Sequence, residues 1–265
     1  MKSASIRELA EQALVNNLQA RHGEPALSVR DLEVAYSAAN GAAIEGVCLE
    51  ARLGEMILFV GPNGGGKTTL LKAIAGLVRP LRGAVSVLGR DPYRELRVRK
   101  LIAYVPQLKE LNINAPLTVR DLVALGRYPH LKPLRRMNSH DEEKIQESLK
   151  AVKLEDITDR RLSELSGGQL NRAVIARALA QEAMIYLLDE PFESIDIPTE
   201  KLIMEILARE KRKGKLVIVT EHHITDMGDF DRAVLLNKRV IIEGRPNEVF
   251  TEDNIRRAYG IIKSA

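Results

Sequence analysis

Gly61-Pro62-Asn63-Gly64-Gly65-Gly66-Lys67-Thr68 matches G-x-x-x-x-G-K-[ST] and lies directly between the apolar run Met56 to Val60 and a helix-patterned segment from Thr69 to Leu77. Strand, glycine loop and helix in that order leave few folds open. Glycines let the backbone curl until successive N–H groups converge on phosphate oxygens, and the helix N-terminus turns its partial positive charge on the same anion. Lys67 adds a point charge for the β- and γ-phosphates, and the Thr68 hydroxyl is placed to ligate Mg²⁺. The loop points to a nucleoside triphosphate and leaves the reaction open.

A second apolar run, Met184-Ile185-Tyr186-Leu187-Leu188, ends in Asp189-Glu190-Pro191. This is the pattern of a buried parallel strand whose carboxyl end faces the ligand crevice. Asp189 suits Mg²⁺ through its water shell. Glu190, one residue further, can orient and deprotonate a water that attacks the γ-phosphorus. Leu165-Ser166-Gly167-Gly168-Gln169 precedes an apolar-periodic helix, so a hydroxyl and unobstructed backbone N–H groups form a second anion-binding surface at a helix N-terminus. One ATP already has its phosphates enclosed by the first loop. The economical use of the second surface is to clamp a nucleotide bound to another copy.

Along the chain, residues 1 to 24 read as a separate amphipathic helix, with Ser5 and Glu8 at capping-box spacing and Ile6, Leu9, Ala13 and Leu14 at helical intervals. Short strands are expected at Leu27 to Leu32, Val47 to Leu53, Ala84 to Leu88 and Leu101 to Val105, and a charged, helix-rich middle from Thr118 to Leu165. Then come helix (Arg172 to Ala180), strand (Met184 to Leu188), helix (Glu200 to Lys211) and strand (Leu216 to Thr220), the rhythm of a parallel α/β sheet, and a closing hairpin from Val234 to Ile242. The charge run Arg209 to Lys215 reads as a solvated helix end.

Composition narrows the partners. No apolar stretch approaches the ~20 residues needed to cross a bilayer. Glu8 and Glu11 interrupt the one apolar segment near the N-terminus, which is unlike a signal peptide, and the single Cys48 has no intrachain partner, so a cytosolic protein is expected. With no Trp, 4% aromatic residues and a net charge of only +4 spread along 265 residues, a nucleic-acid partner is not expected.

In this combination the sequence resembles the ATP-binding cassette family over residues 27 to about 260. The phosphate loop (Gly61 to Thr68), the signature (Leu165 to Gln169) and the acidic strand (Ile185 to Glu190) occur in family order. The resemblance implies a P-loop NTPase core of α/β class with a mainly parallel sheet. A small antiparallel β subdomain and an inserted helical subdomain at about 108–165 complete a nucleotide-binding domain over 25–265. It implies that Tyr36 stacks on adenine, that Gly61 to Thr68 with Thr69 hold ATP, and that Thr68, Gln107 and Asp189 meet Mg²⁺. It further implies that Glu190, Gln107 and a switch histidine serve hydrolysis, and that Ser166, Gly167, Gly168 and Gln169 reach a nucleotide in trans. Ser194-Ile195-Asp196 looks like the loop that crosses the dimer interface.

One position departs from the family. Its histidine follows the last core strand as Thr-His-Asp, whereas here Thr220-Glu221-His222-His223 stands. Counting back without gaps from Asp231-Arg232 puts Glu221 at the histidine position. A carboxylate facing the γ-phosphate would repel it, so a one-residue shift that lets His222 serve is favoured over His223. If Glu221 holds the position, hydrolysis should be impaired.

The family works as a dimer that closes on two ATP molecules and reopens on hydrolysis. Its import cassettes dock on integral-membrane permease subunits at the cytoplasmic face of the membrane and are served by a separate cargo-binding protein. Pro116 to His130 is most similar to cassettes of iron-siderophore and cobalamin importers. Asp189-Glu190-Pro191-Phe192 and the stretch Leu235 to Gly260 are closer to those of zinc and manganese importers. The expected function is therefore an ATPase subunit powering import of a metal ion or metal chelate. A soluble non-transport cassette, such as a cluster-assembly or translation-associated factor, is the alternative; its usual marks, tandem cassettes, a coiled-coil insertion or a strongly basic arm, are missing.

Overall fold

Aliphatic runs bounded by glycine, proline and charge become strands, and the number of faces each must bury decides its place. The computed structural model describes residues 25–37, 41–131, 136–222 and 228–260. Strands β1 (Leu27–Val34) and β2 (Ile44–Ala51) pair antiparallel, with polar residues of β2 turned outward. Strand β3 (Met56–Val60) is buried at every residue and leads through the glycine loop into helix α1 (Lys67–Ile74). Strand β4 (Arg82–Val87) returns to β1 and completes a three-stranded sheet in the order β2-β1-β4.

A single turn, α2 (Leu96–Arg99), precedes β5 (Ile102–Val105). The charged middle of the chain then forms α3 (Val119–Ala124) and α4 (Ser139–Ala151), each opened by a reciprocal cap, Thr118 with Asp121 and Asn138 with Asp141. Helix α5 (Gly167–Ala180), β6 (Ile185–Asp189), α6 (Ile197–Arg212) and β7 (Leu216–Glu221) follow. The expected hairpin is β8 (Arg232–Asn237) and β9 (Arg239–Gly244), followed by α7 (Pro246–Val249) and α8 (Glu252–Tyr259).

The main sheet runs β5-β6-β7-β3-β8-β9, parallel throughout except for β9. Its central strands bury both faces, which explains their unbroken apolar runs. Met56, Leu58, Tyr186, Leu188, Val217 and Val219 pack towards α3 to α6. Ile57, Phe59, Ile185, Leu187 and Ile218 pack towards α1 and the antiparallel sheet. The helical segment is fastened to the main sheet layer at Arg127, a fully buried cation whose guanidinium donates to Asp141 at 3.0 Å, to the Ala180 carbonyl at 2.6 Å and to Glu182 at 2.8 Å.

Most boundaries fall within a few residues of the sequence pattern, and the departures have local causes. Helix α1 starts at Lys67, ahead of the apolar periodicity, because Gly66 caps it in the left-handed region at φ 92°. Helix α5 starts at Gly167 and not Arg172, because Ser166 caps it. The run Arg209 to Lys215 is a correction: Glu210 is buried, with Lys213 at 2.7 Å and Lys215 at 2.8 Å neutralising it, so the run is a paired seam and not merely a solvated end. The helix expected over residues 1–24 lies outside the described residues.

Candidate functional site

Parallel pairing sets the site. Asp189 lies opposite Thr220 across β6 and β7, and Glu221 lies opposite Val60 across β7 and β3, so three strands end side by side. The loop after Val60 is held close. A Cβ on Gly61 would stand 1.8 Å from the Leu236 carbonyl oxygen, and the Lys238 N–H donates to the Gly65 carbonyl at 2.8 Å. Pro62, Asn63 and Gly64 form the outer turn, with Asn63 and Gly64 exposed.

Lys67 is 4% exposed, and its Nζ donates to the carbonyls of Gly61 at 2.7 Å and Pro62 at 3.2 Å. Burial lowers its pKa, opposed by the charges of Glu190, Asp189 and Glu221. Thr68 and Thr69 occupy the first turn of α1. The Thr69 hydroxyl lies 3.3 Å from that of Tyr36, whose ring is 61% exposed.

Asp189 is wholly buried; the Thr220 hydroxyl donates to its Oδ1 at 2.7 Å and the Tyr104 hydroxyl approaches its Oδ2 at 3.4 Å. Burial, with the Asp189 charge adding to it, pushes the Tyr104 phenol far above its ordinary value, so it remains a donor. Glu190 adopts φ 51°, a strained conformation for a residue with a side chain. Its N–H is held by Thr220, through the backbone carbonyl at 3.1 Å and the hydroxyl at 3.0 Å.

His222 stands between Lys67 and Glu190. Its Nδ1 is 3.2 Å from Lys67 Nζ and its Nε2 contacts the Glu190 carboxylate. Because an ammonium can only donate, Nδ1 accepts, and the ring proton sits on Nε2 towards Glu190. Glu221 turns elsewhere: its Oε1 accepts the Phe192 N–H at 2.9 Å. It is 5% exposed, and burial pushes its pKa up to about 8, with the Glu190 charge adding to the effect. His223 lies outside the described residues. Gln107 is buried two residues beyond β5, whose Val105 pairs with Leu188, so it sits at the same end of the sheet as Asp189.

The structure thus brings Lys67, Asp189, Glu190 and His222 together. Ser166 and Gln169 are turned on each other, with the Ser166 hydroxyl accepting the Gln169 N–H at 3.2 Å and Gln169 Oε1 accepting the Ser166 N–H at 3.0 Å. Gly167 is exposed, and a Cβ there would meet nothing within 4 Å; Gly168 would touch only Thr199. Asn171, on the same helix, donates to the Pro191 carbonyl at 2.5 Å and ties α5 to the segment after Glu190. Ser194 takes φ 59°, and Asp196 caps α6 by accepting the Thr199 N–H at 2.7 Å.

Thr220 and Tyr104 are site residues that sequence reasoning passed over. A hydroxyl ending the otherwise aliphatic Leu216 to Val219 is the signal for the first. Among the described residues no cluster of three or more His, Cys, Asp or Glu is arranged to cage a metal. The wholly buried carboxylate of Asp189, with the oxygens of Thr68 and Gln107, instead suits a hard cation that completes its shell with water and phosphate. Together these groups can hold a polyphosphate and take a proton from water at its end.

The family profile described as ABC transporter matches residues 44–193. The manganese transport system ATP-binding protein MntB of Listeria innocua is 41% identical over 235 residues, covering 88% of this chain and 96% of that protein. The zinc transport system ATP-binding protein TroB of Treponema pallidum is 40% identical over 236 residues, covering 89% and 87%. A dimeric ATP-binding cassette in a post-hydrolysis state with ADP and phosphate superposes with a TM-score of 0.73 at 29% identity, over 83% of this chain and 98% of that one.

Proposed function

The chain belongs to the ABC transporter family as an ATP-binding, ATP-hydrolysing transporter subunit, and from that premise we propose that it powers import of a divalent metal of the manganese or zinc kind. The observation that carries the mechanism is the convergence of Lys67, Glu190 and His222 from three separate strand ends. The cargo rests on the manganese and zinc systems to which the relatives belong.

In this reading the backbone of Gly61 to Thr68 cradles the phosphates, and Lys67 exchanges the carbonyls of Gly61 and Pro62 for phosphate oxygens. A cation held short of full solvation gains more from that exchange than a surface lysine does. Tyr36, exposed beside Thr69, offers its face to adenine. Thr68, Gln107 and Asp189 would hold Mg²⁺, which supplies charge neutralisation on the phosphates when bound. Glu190 takes the proton of the attacking water. His222, with its Nε2 proton on that carboxylate, orients it.

Ser166, Gly167, Gly168 and Gln169 serve the nucleotide of a second copy. The exposure of Ser166 and Gly167 and the open space over Gly167 support this, since nothing in the chain's own packing asks for glycine there. Two chains close on two ATP molecules and part after hydrolysis. No described helix is long and apolar enough to cross a membrane. The transport path is accordingly assigned to integral-membrane permease subunits, docked peripherally at the cytoplasmic face through the helical segment and the neighbourhood of Gln107, with a separate cargo-binding protein. The test is reconstitution with the co-purifying membrane subunits in vesicles. ATP-dependent uptake of Mn²⁺ or Zn²⁺, abolished by Glu190→Gln, is expected; uptake that ignores ATP or survives the substitution would overturn the reading.

A further inference from the structure

Glu221 is the residue that a count without gaps from Asp231-Arg232 brings to the histidine position, and the structure gives it a definite place. It ends β7 opposite Val60, the residue that opens the phosphate loop, and it is buried. A buried carboxyl needs hydrogen-bond partners, and the N–H of Phe192 supplies one at 2.9 Å. That bond joins two segments, the one after Glu190 and the one in which Glu221 is followed at once by His222. Phe192 lies two residues after Glu190, and His222 carries the imidazole that contacts the Glu190 carboxylate.

We propose that Glu221 is a positioning residue for hydrolysis, its side chain clamping the segment that follows Glu190 to the segment that begins at His222 and so fixing the imidazole against the carboxylate. The inference rests on the hydrolytic reading of Glu190 and His222 given above. Its logic is geometric. Glu190 is held in the left-handed region through its N–H by Thr220, the Pro191 carbonyl is held by Asn171, and the next donor, the Phe192 N–H, is held by Glu221. Glu221 holds that donor with its side chain and runs directly into His222 through the next peptide bond, so the position of the imidazole is tied to the segment after Glu190. This also explains how a carboxyl can stand one residue from the histidine without spoiling the anion site. It is turned to the Phe192 N–H.

The experiment is steady-state ATP hydrolysis by the full chain with Mg²⁺ for Glu221→Leu, Glu221→Ala and Glu221→Gln, alone and combined with His222→Ala. Leucine and alanine accept no N–H, and a misplacement of about 1 Å at a catalytic group costs up to ~100-fold in rate. Expected are a loss of about tenfold or more in kcat with KM within about twofold for both, and recovery of most of that loss by glutamine, which keeps one acceptor. In the His222→Ala background the same substitutions should cost nothing further, because the clamp acts through His222. A kcat within twofold of the parent for Leu or Ala, glutamine as poor as leucine, or losses that multiply with His222→Ala would overturn the proposal. So would failure of both Leu and Ala to fold beside a fully active glutamine variant, which would make the role one of stability alone. Turnover unaffected by Glu190→Gln would overturn the hydrolytic reading and this inference with it. A normal Glu190→Gln phenotype beside a silent Glu221→Leu would overturn the inference only.

Discussion

The Nδ1 of His222 lies 3.2 Å from the Nζ of Lys67, so the lysine that would bind phosphate and the imidazole that touches Glu190 form one chain of donors and acceptors. In that chain the lysine donates to the ring and the ring donates to the carboxylate. Nucleotide arrival should draw Lys67 away and leave His222 attached to Glu190 alone. Substituting His222 by alanine therefore removes the carboxylate's orienting partner and leaves the phosphate loop intact. The expected result is a fall in kcat of about 10–100-fold with KM for ATP within about threefold. Steady-state hydrolysis checks it; a KM rise with unchanged kcat would place His222 in binding instead.

Glu190→Gln tests the proton acceptor. An amide of the same shape still accepts from His222 and still has its N–H on Thr220, so the fold and nucleotide affinity should persist. Hydrolysis should fall by about 10²–10⁴-fold, the usual worth of a general base. Because the closed pair would then be unable to spend its ATP, size-exclusion chromatography with ATP should show a dimer that the parent protein does not accumulate.

Much of this site was legible because parallel strands announce themselves. Leu58 or Leu187 has to be buried whichever face it takes, and the acids that end such a run are forced to the sheet's edge, where Asp189 and Glu190 are found. What the pattern could not supply is side-chain direction beyond a strand end. Glu221 and His222 are neighbours, and a count along the chain cannot say which one turns to Phe192 and which to Lys67. The buried state of Glu210 escaped for a similar reason: Lys213 and Lys215 neutralise it only once the turn after α6 has folded back. Arg127, too, looks like a surface charge until Asp141 and Glu182 are brought to it from elsewhere.

The raised pKa of Glu221 makes stability fall with pH. Its carboxyl titrates near 8 in the folded chain against an ordinary 4.5, chiefly through burial, with Glu190 and Glu200 adding repulsion and the Phe192 N–H opposing it. Between those values the unfolded chain has lost the proton that the folded chain keeps. The contribution is thus full below about pH 4.5 and is lost as pH rises through 8, on the order of 3–5 kcal/mol in all. Glu221→Gln removes it. In thermal unfolding without nucleotide, the variant's Tm should gain on the parent's by several degrees from pH 5 to pH 8.5; parallel curves would refute the assignment.

Two glycines separate what the chain needs for itself from what it offers to a second copy. A methyl group on Gly61 would meet the Leu236 carbonyl oxygen at 1.8 Å, and that oxygen belongs to β8 in the main sheet and cannot step aside. Gly61→Ala should cost about 2–3 kcal/mol or more and take ATP binding with it. A methyl group on Gly167 meets nothing within 4 Å and sits at the first position of α5, where alanine suits a helix at least as well as glycine. Gly167→Ala should leave the unfolding midpoint of the single chain unchanged within about 0.5 kcal/mol. If the surface around Ser166 and Gly167 receives the phosphates of a partner's nucleotide, the same methyl group blocks that approach. In the Glu190→Gln background, ATP-dependent dimer formation should then need at least about tenfold more protein. Undiminished pairing in sedimentation velocity, beside unchanged stability, would remove Gly167 from the interface.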